Sequence, residues 1–125
     1  MPYSKPVILV VDDDPAICAL LKRSLLNDKW ELSVFTSPEE ALEYGKNNRI
    51  DLVITDICMP QITGTELISK IKDAKPDIPV IVISSSIDAD VMEKIAKHGV
   101  VDYFEKPFDI NALKNRVIAK LSTSC

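Results

Sequence analysis

The chain has 125 residues, 46% of them hydrophobic and 27% charged, a composition typical of one ordinary globular domain. Its net charge is −4 and its 15 lysines and arginines are scattered, so we expect no direct contact with nucleic acid. The apolar runs are too short for a signal peptide or a membrane span, and we expect a cytoplasmic protein without membrane contact.

Five β-strands are predicted from short runs rich in branched apolar residues. In chain order they are VILVV (7–11), ELSVF (31–35), DLVITD (51–56), IPVIVIS (78–84) and VDYF (101–104). The fourth run is the most hydrophobic, and the second alternates between apolar and polar residues. Runs of this length, separated by longer stretches of other character, indicate strands that alternate with helices.

Each strand is followed by apolar residues at helical spacing, and the helix ends carry recognisable signals. The first helix begins near Pro15, and a capping box at Ser37 begins the second. Gly64 is expected to break the loop before the third helix. Gly99 should end the fourth helix, and Asp109 should cap the fifth.

Five strands that alternate with helices predict a doubly wound α/β fold with a parallel sheet. Right-handed crossovers place the carboxyl ends of all strands at one edge of such a sheet. Polar side chains stand at four of these strand ends: Asp12 and Asp13, Asp56, Ser84, and Lys106. The edge therefore collects three carboxylates, a hydroxyl and an ammonium group.

Clustered carboxylates repel each other by roughly 3 kcal/mol per pair at about 5 Å, and a cation would relieve this repulsion. Oxygen ligands favour Mg²⁺ before Ca²⁺ or Mn²⁺. Lys106 could balance a phosphoryl group, with Asp56 as a candidate nucleophile. Taken alone, Asp12 and Asp13 could instead be partners of a helix dipole, and Asp14 more naturally begins the first helix than binds metal.

Four motifs occur in order at the strand ends: ILVVDDDP, DLVITDICMPQITG, VIVISS and DYFEKPF. Through them the chain resembles the receiver domains of bacterial two-component response regulators, over about residues 6–121. The resemblance implies a single receiver domain spanning 1–125, with a flavodoxin-like fold whose five-stranded parallel sheet has the order 2-1-3-4-5 and carries five helices. It implies a phosphorylation-activated signalling switch rather than an enzyme, with only Mg²⁺-dependent self-phosphorylation and self-dephosphorylation.

The same resemblance implies a separate role for each residue of the site in phosphoryl transfer and metal binding. Asp56 would accept the phosphoryl group and also bind the metal, Mg²⁺ with Mn²⁺ as an alternative. Asp13 would be a direct metal ligand, Asp12 would act through a bound water, and the main-chain carbonyl of Cys58 would complete the protein ligands. Lys106 would pair with a phosphoryl oxygen.

The resemblance also implies how phosphorylation changes the surface of the domain and which residues tune the removal of the phosphoryl group. Ser84 would bind a phosphoryl oxygen and, with Tyr103, form the switch that changes the surface of helix four, strand five and helix five. Pro107 would follow Lys106 through a cis peptide bond. Cys58 and Ser86 occupy the two positions that tune dephosphorylation in the family.

The resemblance to receiver domains also implies partners for this chain. The phosphoryl donor would be a sensor histidine kinase or a phosphotransfer protein, since His98 in this chain is expected to be structural. The output would be an effector protein, or an output domain beyond Cys125. A dimer through helix four, strand five and helix five is a further candidate, although Ala112 stands where dimer-forming relatives often have glutamate.

Two other functions remain open at this stage. Asp12 and Asp14 match the DxD start of haloacid-dehalogenase-type phosphohydrolases, as nucleophile and acid/base, although Ala16 replaces the expected threonine or valine. That interpretation leaves Asp56 without a role. The second alternative is a pseudo-receiver that binds partners without phosphorylation, which the complete set of acidic residues and Lys106 disfavours.

Overall fold

The computed structural model describes residues 5–59 and 63–122. Within these ranges strands and helices alternate as follows: β1 (Val7–Val11), α1 (Pro15–Leu25), β2 (Glu31–Phe35), α2 (Pro38–Asn47), β3 (Leu52–Asp56), α3 (Gly64–Ala74), β4 (Val80–Ser84), α4 (Ala89–Ala96), β5 (Asp102–Glu105) and α5 (Ile110–Ser122). Residues 60–62 of the motif DLVITDICMPQITG lie outside the described ranges. No helix in the described part of the chain is long and apolar enough to cross a membrane.

The strands form one parallel sheet of order β2-β1-β3-β4-β5, which confirms the predicted doubly wound α/β fold. Helices cover both faces of the sheet, because residues of β1 alternate between two separate apolar clusters. Leu9 and Val11 belong to the cluster that contains residues of α2 and α3, and Ile8 and Val10 to the one with residues of α1 and α5. This double coverage explains why β1 is apolar at every position.

Three strands begin later than the sequence predicted. Asp51 lies just before β3, where its side chain accepts a hydrogen bond from the amide of Val7 at 2.8 Å. Ile78 donates to the carbonyl of Lys75 in a turn, so β4 begins only at Val80. At the other edge, β5 runs one residue further than expected, to Glu105 opposite Ser84, and starts one residue later.

The ends of the helices follow the sequence signals with one correction. Asp14 caps α1, and Asp109 Oδ1 accepts from the amide of Asn111 at 2.8 Å at the start of α5. Gly99 follows α4 in the left-handed region with φ of 76°, as a helix-ending glycine does. Gly64, however, is not a breaker inside the loop: it is the first residue of α3, because the side chain of Thr63 caps this helix.

Candidate functional site

The parallel sheet places four of the predicted site residues at one edge. Asp12 directly follows β1, Asp56 ends β3, Ser84 ends β4, and Lys106 directly follows β5. Asp12, Asp56 and Ser84 are buried, whereas Asp13 is exposed. The ends of β1, β3 and β4 therefore contribute buried polar side chains to this edge. Asp13 adds one carboxylate that faces the solvent.

The acidic side chains meet at this edge. Asp12, Asp13 and Asp56 each place one carboxylate oxygen so that the three oxygens lie within 4.8 Å of one another. The Lys106 Nζ atom lies 2.8 Å from Asp12 Oδ2 and 3.1 Å from Asp56 Oδ2. The structure thus joins the ends of β1, β3 and β5 through one ammonium group.

Main-chain groups fix the orientation of these carboxylates. Asp12 Oδ1 accepts from the amide of Asp14 at 2.9 Å, and Asp56 Oδ1 accepts from the amide of Cys58 at 3.2 Å. The amide of Lys106 donates to the carbonyl of Ser84 at 2.7 Å. One oxygen of each buried carboxylate is therefore held by the backbone, and the other faces the ammonium group.

Burial and charge shift the proton affinities of the two most enclosed groups. Burial raises the pKa of Asp12 and the nearby charge of Asp56 adds to this, while Lys106 and the amide of Asp14 act in the opposite direction. Burial alone would lower the pKa of Lys106. The carboxylates of Asp12 and Asp56 outweigh that effect, so the pKa of Lys106 lies above its ordinary value and the side chain stays an ammonium.

The donor set fits a hard divalent cation. Asp12 Oδ2 is buried, and within the described ranges no donor meets it with good hydrogen-bond geometry, although the Lys106 ammonium lies at ion-pair distance. Together with the exposed oxygen of Asp13 and the carboxylate of Asp56, this oxygen could ligate Mg²⁺. The three residues offer carboxylate oxygens and no soft ligand, which suits Mg²⁺ or Mn²⁺.

Ser84 and Tyr103, the residues expected to act as a switch, differ in their surroundings. The Ser84 hydroxyl donates to the carbonyl of Ser86 at 3.2 Å and lies 3.4 Å from the Ser86 amide, which donates to it. Tyr103, on β5, leaves 40% of its surface exposed. The Lys106–Pro107 peptide bond is cis. The hydroxyl is thus held by its own loop, and the tyrosine faces outward.

Sequence reasoning missed the role of Gly64 at this site. A Cβ atom on Gly64 would come within 2.2 Å of the Asp56 carbonyl oxygen and 2.6 Å of Ile57 Cα. The amide of Gly64 donates to the Ile57 carbonyl at 2.9 Å. The start of α3 therefore packs directly on the backbone that carries Asp56. The available signal was a glycine at a helix start, where a residue with better helix propensity is more usual.

Asp14 is not part of the carboxylate group. Its side chain accepts a hydrogen bond from the amide of Ala16 at 2.9 Å and caps α1. A phosphohydrolase mechanism would need this carboxylate free as acid/base beside Asp12. The geometry therefore gives the DxD interpretation no support.

An Asp12→Asn variant should be more stable than the wild-type protein when no divalent cation is present. The pKa of Asp12 is raised, so the folded protein disfavours the ionised form and loses stability as the pH rises through that pKa. At neutral pH in a chelator we therefore expect Asp12→Asn to have a higher free energy of unfolding than the wild-type protein. Urea denaturation measures the difference.

Mg²⁺ should reduce or reverse this advantage, because binding to the folded wild-type protein stabilises it by mass action. Asp14→Asn is the matched control: it removes the same charge from an exposed residue and keeps a good N-cap, so its stability should hardly change. If Asp12→Asn is less stable than wild type even in the chelator, the contacts of Asp12 outweigh the cost of burying its charge.

Comparison with known proteins places the chain among signalling domains. Residues 8–118 match the family described as the response regulator receiver domain. The two-component response regulator ORR21 of Oryza sativa subsp. indica is 37% identical over 110 residues, which cover 86% of this chain but 16% of that protein. The two-component response regulator ORR3 of the same plant is 32% identical, with 96% of both chains covered.

Solved structures give the same result for the fold. The crystal structure of a CheY-like response regulator receiver domain protein from Methanospirillum hungatei JF-1 superposes with a TM-score of 0.90 at 28% identity, and covers 96% of both chains. The chain spans less than half the length of most of the first curated relatives, such as ORR21.

Proposed function

The chain belongs to the response regulator receiver domain family of two-component signalling, and on that premise we propose that it is a switch activated by phosphorylation of Asp56. The observation that carries the proposal is the carboxylate group of Asp12, Asp13 and Asp56, with Lys106 paired to two of its members. If these acidic residues served only to stabilise the fold, a third carboxylate facing solvent beside the two buried ones would not be needed.

In the proposed reaction, a carboxylate oxygen of Asp56 attacks phosphorus, and the bond from phosphorus to the donor breaks with its electron pair left on the donor. Bound Mg²⁺ would supply positive charge for the phosphoryl oxygens. Lys106 already lies 3.1 Å from Asp56 Oδ2 and would pair with another phosphoryl oxygen. Asp12 and Asp13 would hold the metal, with the main-chain carbonyl of Cys58 as a further ligand.

The proposed switch depends on the Ser84 hydroxyl. To bind a phosphoryl oxygen it must leave its contacts with the backbone of Ser86. This movement would shift the loop after β4 and open space into which Tyr103 can turn from its exposed position. The surface that changes is formed by α4, β5 and α5, with Met92, Tyr103 and Arg116; we call it the α4–β5–α5 face.

A small phosphodonor with Mg²⁺ should therefore add the mass of one phosphoryl group and change amide resonances both around Asp56 and across the α4–β5–α5 face. A phosphoryl group brings up to two negative charges, and it shifts a two-state switch by its differential interaction with the two states. Tyr103→Ala should still gain the mass, but its resonance changes at this face should shrink. Mass spectrometry and heteronuclear NMR measure both.

The control is Val101→Ala, which shortens another exposed side chain just before β5 and should respond like wild type. Labelling that continues in a chelator would contradict the metal-dependent mechanism. Resonance changes confined to the surroundings of Asp56 would contradict the switch while leaving phosphorylation intact.

The phosphorylated state should be fairly long-lived. Hydrolysis needs a water molecule aimed in line at phosphorus, and neither Cys58 nor Ser86, both exposed, carries an acid or amide that orients water strongly. Cys58→Asn combined with Ser86→Glu should speed dephosphorylation several-fold, as measured by the decay of the phosphorylated mass. Ser85→Glu, which places the same charge one residue away, is the control. Equal decay in the two variants would contradict the role of these positions.

The donor in this proposal is a sensor histidine kinase or a phosphotransfer protein in the cytoplasm, and the output is an effector protein or output domain. Dimerisation through the α4–β5–α5 face stays a prediction. Arg116 on that face is already paired with buried Asp102 of the same chain, and Lys120 Nζ lies 2.6 Å from Asp102 Oδ2. A dimer that used Arg116 would have to share or break this internal pair.

A further inference from the structure

A groove of about 410 Å³ lies where α5 ends beside the turn from α1 to β2. Four apolar side chains and two lysines dominate its lining: Pro6, Trp30, Ile118 and Leu121, with Lys29 and Lys114. Its volume is in the lower part of the range of sites that bind drug-sized ligands. Ile118 leaves 45% of its surface exposed there.

This groove lies away from the phosphoryl site. Pro6 precedes β1 and lines the groove, whereas Asp12 follows the other end of the same strand. The five residues of β1 span about 17 Å at the rise of a parallel strand. An occupant of the groove would therefore not compete with phosphorylation of Asp56.

Two lysines lie beside the groove, Lys29 and Lys114. In the described part of the chain, neither Lys29 nor Lys114 makes an ion pair with an acidic side chain. The protein as a whole carries a net charge of −4. These two ammonium groups beside apolar side chains are therefore available to pair with carboxylates of another molecule.

We propose that this groove docks an acidic segment of a partner protein, in which carboxylates flank an apolar or aromatic side chain. The carboxylates would pair with Lys29 and Lys114, and the apolar side chain would cover Trp30 and Ile118. A second copy of this chain fits less well, because a two-fold interface would set two copies of this groove against each other, and among the described residues the lining holds two lysines and no carboxylate to pair with them. A small anion would leave the apolar floor exposed to water.

Trp30 gives this proposal a reporter, since it is the single tryptophan of the chain and lines the groove with 6% of its surface exposed. The indole is held in place, because its Nε1 donates to the carbonyl of Leu25 at 2.7 Å. Random dodecapeptides displayed on phage are selected against the intact protein. Enriched sequences are then synthesised without tryptophan and titrated while the emission of Trp30 is recorded.

We expect the enriched peptides to combine carboxylates with leucine or phenylalanine and to change the emission of Trp30. Lys29→Glu and Lys114→Glu should each weaken their binding by about tenfold, the effect expected when an attractive surface pair becomes repulsive. Lys70→Glu reverses an exposed charge on α3 and should bind like wild type. Asp56→Asn should also bind normally, which separates this docking site from the proposed phosphorylation.

Four results would overturn the proposal. Enriched peptides without carboxylates, or peptides that bind without changing Trp30, would show that the groove does not select an acidic segment. If sodium acetate displaces the peptides at the same concentration of carboxylate groups, the lysines bind small anions and not specifically an acidic segment. Concentration-dependent dimers in sedimentation that disappear in Ile118→Ser would assign the groove to a second copy. Thermal melts of the lysine variants verify that each is folded.

Discussion

An Asp56→Asn variant will gain no phosphoryl mass from a small phosphodonor and Mg²⁺ under conditions that label the wild-type protein. Asparagine can still accept the hydrogen bond from the amide of Cys58, so the loop after β3 should keep its shape. What it lacks is the carboxylate nucleophile. In the proposed site Asp12 and Asp13 hold the metal, and Asp14 caps α1, so none of these carboxylates takes its place. Intact-protein mass spectrometry measures the loss.

Two further variants test the proposed metal site and control for the loss of a negative charge. Asp13→Asn removes an exposed carboxylate of the proposed metal site and should slow labelling while leaving the acceptor in place. Asp14→Asn removes a neighbouring charge outside the site and should label at the wild-type rate. Equal labelling of wild type and Asp56→Asn would place the phosphoryl group on another residue and refute the proposed acceptor.

Gly64→Ala should both destabilise the protein and impair phosphorylation. Its Cβ would lie 2.2 Å from the Asp56 carbonyl oxygen, so either the start of α3 or the end of β3 has to move. Forcing an extra carbon into a packed site costs roughly 1–3 kcal/mol of the free energy of unfolding. The same movement displaces Asp56, and misplacing a reacting group by about 1 Å slows a reaction by up to ~100-fold.

The chain contains a matched control for this substitution. At Gly45, inside α2, an added Cβ would meet only Leu9 Cδ2 at 3.8 Å, an ordinary contact. Gly45→Ala should therefore be neutral or stabilise the helix by up to about 1 kcal/mol, and should leave labelling unchanged. Urea denaturation and the initial rate of labelling compare the two variants. Similar behaviour of both would mean that the close approach at Gly64 relaxes without consequence.

The sequence predicted the order of elements well because its signals are local. The apolar run before Asp12 and the caps at Ser37 and Asp109 lie within a few residues of the structures that they specify. The convergence of Asp12, Asp56 and Lys106 could also be predicted, since parallel topology alone brings the strand ends together.

Other features could not be predicted because they depend on distant parts of the chain. A glycine at the start of α3 marks an unusual position, but no neighbouring residue in the sequence indicates that its Cα faces the backbone of Asp56. Asp12 and Asp13 are chemically identical neighbours, and only the assembled sheet decides that the first is buried and the second exposed. The pairing of Asp102 with Arg116 joins β5 to α5 through side chains whose directions no sequence pattern specifies.

The pairing of Lys106 with Asp56 joins residues 50 positions apart, and its pairing with Asp12 joins the last strand to the first. Bringing such distant residues together costs conformational entropy, so these ion pairs need the intervening strands and helices to be ordered. During synthesis, β5 and its lysine are also the last part of the sheet to leave the ribosome. A partly unfolded chain presents Asp56 without this counter-charge, so we expect the proposed phosphorylation to depend on the completed sheet.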